Sequence, residues 1–378
     1  MTAITRGHDI LPFSPATRSR RLAGRAEAVA RALLFRPRRR APPDAPRRIL
    51  IAHHLLLGDT LMLTPLLKKL RERHPHAEVA MTVPRAFAPI YATHPYGVRA
   101  LPFDPRRSAA RLYAEAPFDL AIVPGDNRFA WLAAAMRARW IVAFDGDRPA
   151  RKSWQVDRLV PYPDRPAAWG DIVAMLVEGP PPAPYGAADW PAPACAAFET
   201  PRAPYAVLHV GASSPLKRWM PARWREVAKR LASRGLAPVW SSGMHETGLV
   251  DEADPERAFA SCAGRLDLAQ MWHLLAGARL LIAPDTGIAH LGRIVGVPTV
   301  ALFGPGSAAL CGAGDFWRDA PYRAVTVEPF PCRDQRVLFK RDIAWVRRCG
   351  RSVDECPKHL CMPAIAVADV MRAVDALV

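Results

Sequence analysis

The chain has 378 residues, half of them hydrophobic, with 52 Lys and Arg against 35 Asp and Glu, a formal net charge of +17 at pH 7. That length fits two domains of roughly 150 residues each, and the charge suits anionic partners (nucleotides, phosphorylated glycans, acidic lipid surfaces) without choosing among them. No apolar stretch reaches the ~18 residues of a membrane span, the start lacks an apolar signal core, and seven cysteines argue against a full disulfide framework, so a cytoplasmic protein is expected.

Residues 1–46 read as a basic N-terminal arm. Between Arg18 and Arg40, Leu22, Val29, Leu33 and Leu34 recur at roughly helical spacing among arginines. Two readings stand: an interfacial helix that touches the inner membrane face, or a loose basic arm ended by Pro42-Pro43. Beyond it, short apolar runs alternate with helical segments. Arg48 to His53 predicts a buried strand, Asp59 to Arg73 a helix, and Ala77 to Val83 and Leu120 to Val123 two more strands. This is the βαβ pattern of a parallel sheet, here over residues 47–180. The Pro-rich residues 181–203 predict a linker. Alternation restarts in residues 204–330: a strand at Tyr205–Val210, a helix at 221–233, strands at Ala237–Trp240, Leu280–Ala283 and Thr299–Phe303, and a helix near Asp267–Ala276 between them. Residues 331–378 hold four cysteines and a C-terminal helix. The fold class expected is α/β with two open sheets, where ligands sit outside the carboxyl ends of strands.

Three strand-to-helix loops carry chemistry. In Ala283-Pro284-Asp285-Thr286-Gly287-Ile288-Ala289-His290, Asp285 or Thr286 can cap a helix, and Gly287 lets a ligand approach closely. The amides of Thr286, Gly287 and Ile288 can then face a diphosphate, and His290 projects from the same face as Thr286. An ordinary capped helix explains the segment equally well. A single Asp-Thr-Gly copy does not suit an aspartic protease, which needs two carboxylates sharing a proton. In His209 to Trp219, Ser213, Ser214 and Lys217 can neutralise a diphosphate without metal, while Trp219 packs the loop; a solvated Lys-Arg pair is the plain alternative. In Leu57-Gly58-Asp59-Thr60, Asp59 is either a general base or a helix N-cap.

Together these segments resemble glycosyltransferase family nine, the bacterial heptosyltransferases that use ADP-heptose. The resemblance covers roughly residues 48–378. It rests on Gly58-Asp59 with Thr64-Pro65 and Leu70-Arg71, on Lys217 with Trp219, and on Asp285-Thr286-Gly287 with His290. It continues through Gly296-Val297-Pro298-Thr299 to Phe303-Gly304-Pro305. The resemblance implies a GT-B architecture, two facing Rossmann-like domains, the second holding the donor, and an inverting transfer that requires no metal or other cofactor. It implies Asp59 as catalytic base, Lys217, Thr286, Gly287 and His290 as diphosphate ligands, and Glu246 as a ribose contact, with Asp285, Ser213 and Ser214 in the donor loops. His53-His54 stands where the family commonly carries an arginine. The acceptor expected is an anionic lipopolysaccharide-core glycan, with an autotransporter protein as the alternative.

Cys332, Cys349, Cys356 and Cys361 have gaps unlike paired CxxC knuckles, which leaves free thiols or a tetrahedral metal site open. The autotransporter branch of the same family is similar in carrying a C-terminal cysteine finger, which implies structural iron or zinc here. A basic nucleic-acid-binding protein and a nucleotide-sugar epimerase are the rival classes, the first lacking any familiar nucleic-acid motif.

Overall fold

The computed structural model describes residues 15–35, 40–107, 109–201 and 204–378. The first sheet contains β1 (Arg48–Ile51), β2 (Glu78–Val83), β3 (Val98–Pro102), β4 (Phe118–Val123), β5 (Ala138–Phe144) and β6 (Arg158–Val160), all parallel, in the order β3-β2-β1-β4-β5-β6. The second contains β7 (Tyr205–His209), β8 (Ala237–Ser241), β9 (Ala260–Ser261), β10 (Leu280–Pro284), β11 (Thr299–Phe303) and β12 (Tyr322–Thr326), in the order β12-β11-β10-β7-β8-β9. Both halves wind the same way. In each, the strand order reverses beside the first strand, between β1 and β4 and between β7 and β10, and such switch points open a crevice for ligands. All three chemistry-bearing loops follow these strands.

The central strands are apolar on both faces because helices cover both. Ile49, Leu50 and Ile51 of β1 and Leu281, Ile282 and Ala283 of β10 are fully buried. The helix expected over Asp59–Arg73 is two helices, Leu57–Leu61 and Thr64–Arg73. Pro65 has no N–H to continue the first, and the Thr64 hydroxyl instead donates to the Leu61 carbonyl at 2.6 Å. The helix expected near Asp267–Ala276 is Leu268–Ala276, capped by Asp267, which accepts from the Gln270 amide at 2.8 Å.

The basic stretch of the arm is a helix, Pro15–Phe35, docked by Ala28 and Ala32 on the outer face of the first sheet. The Arg31 guanidinium lies 4.1 Å above the Tyr113 ring, while Leu33, Leu34 and Phe35 remain exposed. The rest of the expected arm, residues 1–14 and 36–39, lies outside the described residues, as does the side chain of Leu22. The Pro-rich link packs against both halves. Buried Trp190 stands between Tyr91, at 5.1 Å, and Trp272, at 5.9 Å, and donates to the Ile90 carbonyl.

Past β12 the chain crosses back to the first sheet. A short hairpin, β13 (Val337–Leu338) with β14 (Arg341–Asp342), delivers Arg341 to the carboxyl ends of β4 and β5. There the buried guanidinium donates to the carbonyls of Gly125 (3.0 Å), Phe144 (3.2 Å) and Asp145 (2.7 Å) and to the Asn127 side chain (2.7 Å). The chain then returns, and the helix Val367–Asp375 seals the outer face of the second sheet. One layer of core side chains, from Ile49 and Met62 to Val207 and Ile288, belongs to both sheets.

Candidate active site

The loops after β1 and β10 meet face to face. A Cβ on Gly58 would stand 2.8 Å from the His290 ring and 3.6 Å from the Gly287 Cα, and one on Gly287 would stand 2.7 Å from the Leu57 side chain. Both glycines are therefore required by close approach rather than by backbone twist, and they bring Asp59 to the start of the helix Gly287–Val295.

Asp59 is partly buried in the first turn of its helix, where no side-chain cap forms; the capping alternative is set aside. Burial pushes its carboxyl up to about 6, with Asp285 adding to the rise, while Arg348 and Lys217 oppose it. A carboxylate so placed exchanges its proton near neutral pH, as a general base must.

At the facing helix, Thr286 occupies the N-cap position without a side-chain cap bond, and its buried hydroxyl has no hydrogen-bond partner. The first amides of any helix also lack intrahelical acceptors, so this helix start carries open donors of the kind that bind anions. The Lys217 ammonium reaches the Asp285 carboxylate at 2.8 Å and its carbonyl at 2.9 Å. Although burial alone would raise it, Lys217 and then His290 hold the Asp285 carboxyl below its ordinary range. Asp285 thus anchors Lys217 and shapes the loop.

His290 is buried, and burial, then the Arg293 charge, pushes its imidazole down to about 3. Arg293 donates to His290 Nδ1 and to the Gly312 carbonyl. Because a guanidinium only donates, Nδ1 must accept, and the ring proton sits on Nε2. Nε2 lies 4.0 Å from Asp285 Oδ1 and faces Gly58. His290 is therefore a neutral donor aimed into the junction.

The β7 loop forms the adjoining wall. Glu246 accepts from the Ala212 amide at 3.0 Å and lies 3.7 Å from Arg218, which leaves its carboxylate beside Gly211 and Gly243 at the rim. Ser213 is exposed and Ser214 partly so. Trp219 is buried, donates to the Ile365 carbonyl at 3.1 Å, and packs edge-on against Trp224. On the other side, His53 is fully buried and burial pushes it down to about 3; its Nδ1 accepts from the Leu55 amide at 3.2 Å. His54 is lowered too, chiefly by burial, so neither histidine supplies a cation at neutral pH.

Two residues of this centre escaped the sequence. Arg293, three positions after His290 on the same helix, was legible as a neighbour but not as the group that fixes its tautomer. Arg348, from the returning segment, acts electrostatically on Asp59, Lys217 and Asp285, and nothing in its local sequence announces this.

The four C-terminal cysteines gather in one region. Burial and then the neighbouring Cys349 and Cys356 raise the Cys332 thiol, and burial with Cys332 and Cys349 raises that of Cys361. Arg351 reaches into the group, donating to the Cys332 carbonyl at 2.7 Å and lying 3.7 Å from the Cys349 sulfur. Among the described residues no three His, Cys, Asp or Glu side chains are disposed to hold a metal ion. The donor set is chemically suited to zinc or iron, but its arrangement here is not that of a closed ligand shell.

Residues 106–321 match the profile of the family described as Glycosyltransferase family 9 (heptosyltransferase). The chain is 29% identical over 334 residues to lipopolysaccharide heptosyltransferase 1 of Pseudomonas aeruginosa, covering 77% of this chain and 90% of that protein. Among solved structures it resembles ADP-heptose LPS heptosyltransferase II of E. coli, with a TM-score of 0.66, 18% identity, and coverage of 88% of this chain and 98% of that one. It also resembles the iron-containing dodecameric glycosyltransferase TibC from enterotoxigenic E. coli H10407, at a TM-score of 0.55, 15% identity, 89% of this chain and 77% of that one. The architecture is GT-B, as expected from the sequence.

Proposed function

The chain belongs to glycosyltransferase family 9, and from that membership we propose that it moves heptose from ADP-heptose to a hydroxyl of the lipopolysaccharide core, with inversion and without a metal in the chemical step. The observation that carries this reading is the partly buried Asp59 carboxyl, raised to about 6, opposite the open donors of Thr286, Gly287 and His290.

In the proposed step, Asp59 takes the proton of the acceptor hydroxyl while its oxygen attacks the anomeric carbon. The bond from that carbon to the donor phosphate breaks, and its electron pair leaves with the diphosphate. The developing charge is met by the amides of Gly287 and Ile288, the Thr286 hydroxyl and His290 Nε2–H, donors that need no rearrangement as charge appears. Glu246, at the rim of the β7 loop, suits a ribose hydroxyl pair. Ser213, Ser214 and Lys217 border the same diphosphate position.

A thermal-shift panel of ADP-, GDP- and UDP-sugars tests the donor: stabilisation confined to ADP-heptose is expected, and a response to another base alone overturns it. An autotransporter protein is the second acceptor reading, favoured by the gathered cysteines; heptosylation of a purified protein acceptor but not of core glycan would select it. For a structural iron or zinc at Cys332, Cys349, Cys356 and Cys361, elemental analysis of the purified protein is decisive, and a value near one metal per chain is what that proposal requires. Among the described residues no helix is long and apolar enough to cross a membrane. A cytoplasmic enzyme resting on the inner membrane is proposed from the exposed Leu33, Leu34 and Phe35 beside arginines, and co-sedimentation with anionic vesicles measures it.

A further inference from the structure

The segment after β12 lies beyond the family match, which ends at residue 321. It is fastened at three points. Arg333 is buried and donates to the carbonyls of Phe303 (3.0 Å) and Gly304 (2.7 Å) at the end of β11 and of Val327 (3.1 Å) just after β12. Arg341 is buried at the ends of β4 and β5, as described, and the Trp345 indole donates to the Pro163 carbonyl at 2.7 Å. The strap then turns back on itself, with Gln335 and Arg348 exchanging backbone bonds of 3.0 and 3.1 Å, and the Cys349 amide donates to the Pro305 carbonyl at 2.9 Å. Pro305 adjoins Gly306, where an added Cβ would stand 2.3 Å from the Asp285 carboxylate. Residue 348 is thereby held on the turn that backs the diphosphate loop.

Without it, the charges at this centre only offset one another, and nothing is left over to offset a diphosphate. Lys217 is matched by Asp285 at 2.8 Å. His290 is neutral. Arg293 donates from its two terminal nitrogens to Gly312 and His290, its Nε is buried without a partner, and its plane lies between the rings of Trp317, at 4.6 Å, and Tyr322, at 4.8 Å. Asp59 adds negative charge. A nucleoside diphosphate entering this set would meet helix amides, while Lys217 and Arg293 are already engaged by Asp285, His290 and Gly312. Arg348 is partly buried, and among the described residues its hydrogen bonds are the backbone pair with Gln335, with none from its side chain. Its charge is nevertheless felt by Asp59, Lys217 and Asp285.

We propose that Arg348 is a ligand of the donor diphosphate, a cation supplied by the C-terminal strap to neutralise the leaving group that the Lys217–Asp285 pair leaves uncompensated. A guanidinium offers a planar, two-pronged contact to phosphate oxygens, and the strap fixes its base at both sheets, so the ligand is held in place rather than recruited. This deepens the transferase reading and rests on it.

Calorimetric titration of the full chain with ADP tests the proposal, comparing the parent with Arg348→Gln and Arg348→Lys. ADP affinity should fall roughly 10- to 100-fold in the Gln variant, the loss expected of a charge-assisted bond. Adenosine, which lacks the diphosphate, should bind parent and variants alike. Undiminished ADP binding by Arg348→Gln overturns the assignment, and so does a defect confined to the KM of the acceptor. If the Gln variant does not fold, Arg348→Lys carries the test: it should bind ADP several-fold more weakly than the parent, having lost the two-pronged contact, and equal binding overturns the proposal. A parent chain that binds no nucleoside diphosphate sinks the transferase reading instead, whatever the variants do.

Discussion

Burial raises the Asp59 carboxyl to about 6, and two pH effects follow with opposite senses. As a base it must be ionised, so kcat/KM should climb about tenfold per pH unit up to roughly 6 and level off above it; a profile flat from pH 4.5 to 7 would exclude Asp59 as the base. For stability, the folded value lies above the ordinary 3.8. The folded chain therefore holds this proton more tightly, and the stabilisation is full below 3.8 and lost as pH rises through about 6. Asp59→Asn, which mimics the protonated form, should unfold at a higher temperature than the parent at pH 8 and match it near pH 4. The same variant should lose ~10²–10⁴-fold in turnover with ADP binding kept, and wild-type turnover would reject the role. Arg293 acts one step back. Arg293→Met should stay folded in its aromatic slot, release His290 Nδ1, and lose part of the ~10²–10³-fold that a well-aimed donor supplies; imidazole NMR reads the tautomer change independently of rate. The types and loops of Asp59, Lys217, Thr286 and His290 were readable from sequence. The pairing of Lys217 with Asp285 was not, because the sheet alone brings β7 and β10 together, and the tautomer of His290 was not, because helical spacing places Arg293 nearby without fixing which ring nitrogen it meets.

At the scale of elements, the strand-loop-helix units were legible where apolar runs are unbroken, as in β1, β7, β10 and β11. β3, β5 and β6 were missed because each mixes charges with apolar residues: Arg99 of β3 lies at the edge, paired with Glu78 and Glu115, and Arg139 and Trp140 interrupt β5. The single helix expected over Asp59–Arg73 failed at Pro65 for the reason given above. What no periodicity reveals is that Leu57–Leu61 packs on Gly287–Val295 through two glycines. Gly287→Ala places a methyl 2.7 Å from the Leu57 side chain and should destabilise by about 1–3 kcal/mol, the usual cost of overpacking, while lowering turnover by shifting Asp59 away from the helix start. Thermal unfolding and kcat measured on one preparation check both halves of that statement.

At the scale of the molecule, two parallel sheets were predictable from the alternation of apolar runs with helical segments, and the GT-B arrangement followed from the resemblance. The strap was not, since residues 331–361 show no strand or helix period and their only conspicuous feature, four cysteines, drew attention to metal rather than to arginine. Arg341 makes it structural. Arg341→Met would strand the carbonyls of Gly125, Phe144 and Asp145 and the Asn127 side chain, and should cost about 3–5 kcal/mol, as removing one partner of a buried charged network does; denaturant titration measures it, and a loss under 1 kcal/mol would show the strap to be peripheral. The layer of side chains from Ile49 to Ile288 that serves both sheets has a further consequence, for cooperativity. Each half has a core cluster of its own, but this layer is shared, so separating the halves exposes apolar surface that each would otherwise keep from water. The two sheets should therefore melt in a single calorimetric peak whose van't Hoff and calorimetric enthalpies agree, and a chain cut at the link should yield two fragments that fold only when mixed.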